Sequence, residues 1–407
     1  MPAAVQPQDD RNALIDALRA IALYGVISFN IVGMVGALVG GSVIARANGA
    51  DMAFLAFDLI LIQGKARAAF ALLFGVGFGT LAARAAANGQ PIWPLHSRRM
   101  LVLLAIGLAN LAFLFFGDIL ILYALLGLAL PLFRNLGNRA LVATGLALLI
   151  VPPLVIGLVE AVTGAPLPNI AGLSPAAVDA LMPATAPIYQ GNDYAAFIRA
   201  NLAYYVDHYR VETGYALMYD LSVFGLFLIG VWAARNRVLT DVAAWRPFLI
   251  RTAAIAIPLG LVLSIVHASR RLGIEADGAA YGLVTAAYAG LALMSFGYVA
   301  LFSLWLAGSG QRVARALAPT GRMALTGYLA SNAIGAATWY GWGLGLMGQW
   351  NGMAMNLFAL AIFLGLCLFS TFWLRAFRHG PVEWLWRSLA YGAVQPMRRR
   401  AMPDLHS

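Results

Sequence analysis

Charge is scarce in this chain. Only 11% of its 407 residues are Asp, Glu, Lys or Arg, against about a quarter in a typical soluble domain. That shortage excludes an ordinary soluble protein, because 61% of the residues are hydrophobic and no single core of this size could hide them from water. Lysine is almost missing: Lys65 stands alone beside 26 arginines. Cysteine is reduced to Cys367, so no intrachain disulfide, Cys-ligated metal cluster or CxxC redox pair can form. HExxH, GxSxG and P-loop patterns are all absent, and no constellation for a metal is expected. Phe74-Gly75-Val76-Gly77-Phe78-Gly79 spells GxGxG inside an apolar run, where small residues serve helix packing rather than a nucleotide.

What is present is a succession of apolar runs of membrane-spanning length, with a mean hydropathy of +0.79. They predict an all-α, polytopic integral membrane bundle of about ten transmembrane helices. The first is 14–40. The second segment, 51–86, is too long for one straight span and carries Gln63-Gly64-Lys65 in its middle, so a short helix, a break and a full helix from about 65 are expected. Spans three and four, 99–116 and 118–133, form a tight hairpin at Gly117. Span five, 139–163, should kink at Pro152-Pro153. A polar, Pro-containing stretch, 164–192, leads to an amphipathic helix at 193–210. Spans six to ten follow at 214–234, 247–267, 279–307, 322–346 and 352–376. A Trp-rich segment, 383–391, is expected to lie at the membrane interface. The resulting divisions are an N-terminal membrane half (1–163), an external segment (164–213), a C-terminal membrane half (214–393) and a basic tail (394–407).

The net charge of +10 would suggest nucleic acid in a soluble protein. Here the arginines gather in alternate loops, the signature of cytoplasmic sides. With the N-terminus inside, 20 Arg fall inside and 5 outside (Arg46, Arg199, Arg210, Arg270 and Arg271), leaving Lys65 and Arg67 within the membrane. Both termini are therefore expected in the cytoplasm, with no nucleic-acid partner. The polar start followed by a long apolar run does not read as a cleavable signal.

Charges within apolar spans need a reason, since each is costly in a bilayer. Asp16, Arg19 and Asn30 share one helical stripe, Arg19 about 60° and Asn30 about 40° from Asp16. The first two can pair at i,i+3 and anchor the helix end, whereas Asn30 lies about 20 Å deeper and implies an inward polar path. Lys65 and Arg67 beside a glycine break fit an anion site and equally fit pairing with Asp58 or Asp118. Asp118 opens span four, where an acid caps a helix or serves as a catalytic group. His208, between Asp207 and Glu212, is either solvated or a general base. His267, beside Arg270 and Arg271, carries the same pair of readings.

Several blocks then resemble a known family. The stretch from Arg11 through Asp16 and Arg19 to Asn30 resembles the opening of the YeiB-like membrane proteins with a DUF418 C-terminal domain. Gly64-Lys65-Ala66-Arg67 running into Leu72-Leu73-Phe74-Gly75 does so as well. Gly117-Asp118-Ile119-Leu120 with Tyr123 belongs to the same likeness, as do Gly321-Arg322-Met323-Ala324-Leu325-Thr326 with Tyr328 and Ser331, and Gly380-Pro381-Val382-Glu383-Trp384. That family is similar to the transmembrane acyltransferases, which include heparan-α-glucosaminide N-acetyltransferase. The resemblance implies a shared ten-helix fold and transfer of an acyl group from cytoplasmic acyl-CoA, acetyl-CoA above all, to an acceptor at the outer face. Members described as transporters make export of a small anionic or amphipathic metabolite the alternative. The sequence departs from the pattern twice: Asn30 stands where the polysaccharide O-acyltransferases carry a histidine, and Asn110 stands where many YeiB-like relatives carry one in span three. The expected catalytic residues are His208, Asp118 and Asn30. Asp16, Arg19, Lys65, Arg67, Tyr123 and Arg322 are the expected binding residues. The expected partners are membrane lipids and a small-molecule, lipid or glycan acceptor in a bacterial inner membrane, with self-association left open.

Overall fold

The computed structural model describes residues 8–45, 49–167, 171, 175–269, 272 and 278–399. Arg46, Arg270, Arg271 and the end of the basic tail from Arg400 lie outside the described residues.

The described chain is helical, with one isolated bridge between Phe377 and Arg398. It opens with α1 (Gln8–Ala45), α2 (Gly49–Phe57), a π-helical turn (Asp58–Ile62) and α3 (Lys65–Ala87). Then come α4 (Ile92–Phe113), α5 (Leu120–Ala129) with a 3₁₀ turn (Leu130–Phe133), α6 (Asn138–Thr163), α7 (Pro175–Gln190) and α8 (Tyr194–Val211). The C-terminal part comprises α9 (Thr213–Arg235), α10 (Arg246–Ser269), α11 (Gly278–Ala286), α12 (Ala289–Ala307), α13 (Gln311–Arg322), α14 (Ala324–Trp339), α15 (Gly352–Ala376) and α16 (Pro381–Tyr391).

Eight stretches among the described residues are long and apolar enough to cross a membrane. The expected fourth and ninth spans are shorter. Span four is α5 tightened into a 3₁₀ turn at Leu130-Pro131, where proline has no N–H to continue the ladder. Span nine is α14, 16 residues long, which rises about 24 Å and ends at Trp339. The count of about ten therefore resolves into eight full-length stretches and two short helices. The polar stretch at 164–192 contains a helix, α7. α6 runs through Pro152 and Pro153 as one helix.

The expected break in the second segment is present. Gly64 sits at φ +78°, a conformation that suits glycine alone, and the π turn at Asp58–Ile62 precedes it. Close helix packing follows from glycine, as the GxGxG reading anticipates. A Cβ at Gly75 would overlap the Phe227 carbonyl of α9, and one at Gly230 would overlap the Leu72 carbonyl of α3. α1 lies at the centre, with Ala17, Leu23, Ile27 and Ile31 fully buried. Long exposed apolar faces on α6, α10 and α15, such as Leu158, Ile255 and Leu368, belong to a surface solvated by lipid rather than water. The molecule is a multi-pass helical membrane protein.

Candidate functional site

α1 carries the polar stripe inward and other helices close on it. Near its start, the Arg19 guanidinium donates to Asp16 at 2.7 Å. One turn of α13 approaches so closely that a Cβ at Gly321 would overlap the Asp16 carbonyl. Deeper along the stripe lies Asn30, only 4% exposed, whose amide donates to Asn332 of α14 at 2.9 Å. Asn332 in turn donates to Asn110 of α4 at 3.2 Å, and Asn110 donates to the Asp118 carboxylate at 2.7 Å. Each amide thus points its N–H toward the carboxylate, which fixes the polarity of the chain. Asp118 also accepts from the Ile121 N–H at 2.8 Å, capping α5, and from the Tyr328 hydroxyl at 3.4 Å. Asn30 and Asn110 are therefore joined, through Asn332, to one buried acid.

Against this network lies a cavity of about 890 Å³. Its wall includes Leu23, Phe74, Tyr123, Ile119 and Tyr328, so it reaches the residue that touches Asp118. Its other end is cationic: Arg19, Arg84, Arg99, Arg322, Arg378 and Arg387 line it. The two acids there, Asp16 and Glu383, are engaged elsewhere. Asp16 pairs with Arg19, and Glu383 accepts from the Thr326 N–H at 2.9 Å and hydroxyl at 2.5 Å. That carboxylate caps the first turn of α14 from α16. Burial pushes its pKa up, opposed by the Thr326 hydrogen bonds. His379, also in the wall, is held below the usual imidazole range by burial and then by Arg387, Arg322 and Arg378. The rim therefore presents an excess of positive charge to a large opening. Trp386 lies under Arg99, its ring 4.4 Å from the guanidinium carbon, and its indole N–H donates to the Arg99 carbonyl at 2.7 Å.

Of the residues singled out in the sequence, Asp16, Arg19, Tyr123 and Arg322 line this cavity, and Asp118 and Asn30 lie in the network behind it. Lys65 and Arg67 do not line it. Lys65 is 1% exposed and donates to the Leu59 carbonyl at 2.9 Å, across the helix break. Beside it, Asp58 accepts from Gln63 at 2.6 Å and from Ser28 at 3.4 Å, and Ser28 donates to Asn356 at 2.8 Å. That cluster seals the break's exposed backbone.

His208 lies on α8, its ring nitrogen 3.4 Å from Glu212. Tyr209 hydrogen-bonds Asp220 of α9, and burial followed by the Asp220 charge pushes the Tyr209 hydroxyl's pKa up, so it stays a proton donor. α8 is fastened to the end of α4: Asn201 donates to the Ala112 carbonyl at 3.3 Å and Tyr194 to Phe113 at 2.8 Å. Tyr205 lies within electrostatic reach of Asp118. His208 does not line the large cavity, but its helix abuts the hairpin that carries Asp118. His267 bonds the Val284 carbonyl at 3.2 Å, away from this site. Among the described residues no group of three or more His, Cys, Asp or Glu side chains could hold a metal.

Residues 233–393 match the family model described as "Protein of unknown function (DUF418)". The chain is similar along nearly its whole length to three bacterial proteins. "Uncharacterized protein YxaH" of Bacillus subtilis (strain 168) is 27% identical over 96% of this chain and 97% of its own. "Uncharacterized protein YeiB" of Escherichia coli (strain K12) is 28% identical over 95% and 98%. The chain thus carries a DUF418 match in its C-terminal part and is similar over nearly its whole length to these YeiB-like proteins. The third, "Uncharacterized 39.9 kDa protein in amylase 3'region" of Bacillus acidopullulyticus, is 28% identical over 97% and 98%. No solved structure matches. In this YeiB-like chain the DUF418 region supplies Arg322, Tyr328, Asn332, Glu383 and Arg387. The part before it supplies Asp16, Arg19, Asn30, Asn110, Asp118 and Tyr123, so the site needs both.

Sequence reasoning passed over Asn332, Arg99, Arg387, His379 and Asp220 as site residues. Asn332 has a signal in hindsight: it is one turn from Tyr328 and shares its helix face. Arg99 and Arg387 read as ordinary topology charges, and only the fold turns them onto one opening.

Proposed function

We propose that this chain is a membrane-embedded acyltransferase. It moves an acyl group, acetyl being the first candidate, from cytoplasmic acyl-CoA to a hydroxyl or amine acceptor at or near the outer face. The observation that carries this reading is the single cavity with arginines at one end and Tyr328, the partner of Asp118, at the other. Arginine forks suit phosphates, and the volume lies in the range of small-molecule sites. The positive-inside bias assigns the arginine end to the cytoplasm, with both termini there and the bacterial inner membrane as the location.

Under this reading the rim arginines, with Arg19 steadied by Asp16, hold the phosphates of the donor. The acyl thioester extends toward Tyr123 and Tyr328. The acceptor oxygen or nitrogen attacks the thioester carbon, the carbon–sulfur bond breaks, and CoA leaves as the thiolate. Asp118 takes the acceptor's proton, and His208, on α8, lies on the side from which the acceptor comes. Asn30 cannot take a proton; with Asn332 and Asn110 it orients Asp118. The acceptor is a lipid, glycan or small metabolite reaching the α8 side from the bilayer or beyond it.

Equilibrium binding of CoA to the purified protein tests the donor half. Binding that saturates and weakens at least about tenfold in Arg99→Ala and in Arg387→Ala is expected, the loss from one charge-assisted contact. Unaltered affinity in both variants would remove the rim from the account.

A transporter reading draws on the broken helix with buried Asp58 and Lys65. It expects ion-gradient-dependent flux in proteoliposomes with no thiol released from acetyl-CoA.

A further inference from the structure

Among the described residues Arg67 has no carboxylate counter-charge. Its guanidinium carbon lies 4.1 Å over the Phe29 ring and 5.2 Å from the Tyr219 ring centre, and Tyr219 hydrogen-bonds it. Among the described residues no carboxylate pairs with it within 4.0 Å, and its buried Nε has no hydrogen-bond partner. The neighbouring acids are committed: Asp58 to Gln63 and Ser28, Asp118 to Asn110 and Ile121, Asp220 to Tyr209. A guanidinium cannot shed its proton to escape the cost, and a lone charge at this depth calls for a partner.

A second, small cavity borders this side chain. It holds about 30 Å³ and is lined by Gly64, Arg67, Tyr219, Ser222, Tyr288 and Leu291 among others. That volume admits one or two water-sized particles, which suits a halide or the carboxylate end of a small acid and excludes a nucleotide's phosphates. α3 begins at Lys65, immediately after Gly64, so the positive end of its dipole lies at the same place. The two cavities share no lining residue, although Tyr123 of the large one donates to the Arg67 carbonyl at 3.3 Å.

We propose that Arg67 holds one small, singly charged anion in this small site between α3, α9 and α12, apart from the arginine-rimmed cavity. The anion is a free halide or a small carboxylate, and the inference stands whether or not the chain transfers acyl groups. Thermal unfolding of the detergent-purified protein in chloride-free buffer tests it, read by a thiol dye on Cys367, with bromide or acetate added at constant ionic strength against sulfate. Saturable stabilisation by bromide, acetate or both is expected, with affinity lowered at least about tenfold in Arg67→Gln and in Ser222→Leu, which fills the cavity and keeps the charge. Stabilisation by bromide alone assigns a halide. Stabilisation by acetate, alone or in competition with bromide, assigns a carboxylate. If Arg67→Gln does not fold, Ser222→Leu decides. The proposal is overturned if neither anion stabilises the wild type saturably, or if the folded variants respond as it does.

Discussion

Replacing Asp118 with leucine should cost far more than replacing it with asparagine. The carboxylate is 9% exposed and accepts from Asn110 at 2.7 Å, Ile121 at 2.8 Å and Tyr328 at 3.4 Å. Leucine abolishes the cap on α5, worth about 1 kcal/mol. It also strands the Asn110 amide, a buried donor whose loss of partner costs about 1–3 kcal/mol. Tyr328 adds little, since its bond is long. The sum is about 2–4 kcal/mol of folding stability. Asparagine keeps an acceptor for Ile121, and the chain of amides can reverse: Asn110, Asn332 and Asn30 each turn over and donate the other way. Its cost should stay below about 1 kcal/mol. Adding Asn110→Leu to Asp118→Leu removes that stranded amide but leaves the Asn332 amide without its acceptor, so the double variant should be about as stable as Asp118→Leu and the pair should show a coupling of about 1–2 kcal/mol. Equilibrium unfolding in mixed detergent micelles, read by circular dichroism, measures these variants together with Asn110→Leu alone, which closes the cycle. An Asp118→Leu protein within about 0.5 kcal/mol of wild type, or additive behaviour of the pair, would refute the network as a set of satisfied buried partners.

Other expectations follow from the same geometry. Burial raises the Glu383 pKa, so the native state holds that proton more tightly than the unfolded chain. The associated stability is full below the unfolded value near 4.5 and is lost as pH rises through the folded value. Glu383→Gln should therefore gain on wild type as pH rises above about 4.5, and a gap in melting temperature that moves the other way would contradict the assignment. Gly321→Ala should drive α13 off α1 and cost about 1–3 kcal/mol or more, seen as a loss of monodisperse protein in gel filtration. An unchanged melting temperature would mean that the contact at the Asp16 carbonyl yields easily.

Much of the fold is legible because the bilayer imposes it. Apolar length marks the spans, and Gln63-Gly64-Lys65 marks the break, since a polar residue, a glycine and a cation cannot continue a lipid-facing helix. The short helices are less legible: nothing in 322–346 signals that α14 stops at Trp339 and the chain folds back, with the Gly341 N–H donating to the Tyr189 carbonyl at 2.9 Å. At the site, the stripe of Asp16, Arg19 and Asn30 is readable from helical spacing alone. The partner of Asn30 is not, because Asn332 lies 302 residues away and no local pattern encodes a pairing at that distance. The rim arginines illustrate the same limit. Their number shows in the loops, but their convergence on one opening depends on how α4, α13 and α16 meet.

The central claim is that the arginine-rimmed cavity feeds an acyl donor to the Asp118 network. Transfer of label from radiolabelled acetyl-CoA to an extractable product in inside-out vesicles, which present the cytoplasmic face to the donor, tests it most directly. Product that forms with wild type and drops at least about a hundredfold with Asp118→Asn, a variant expected to fold, is the predicted result. Equal product from the two proteins, or none with wild type despite CoA binding, would contradict it.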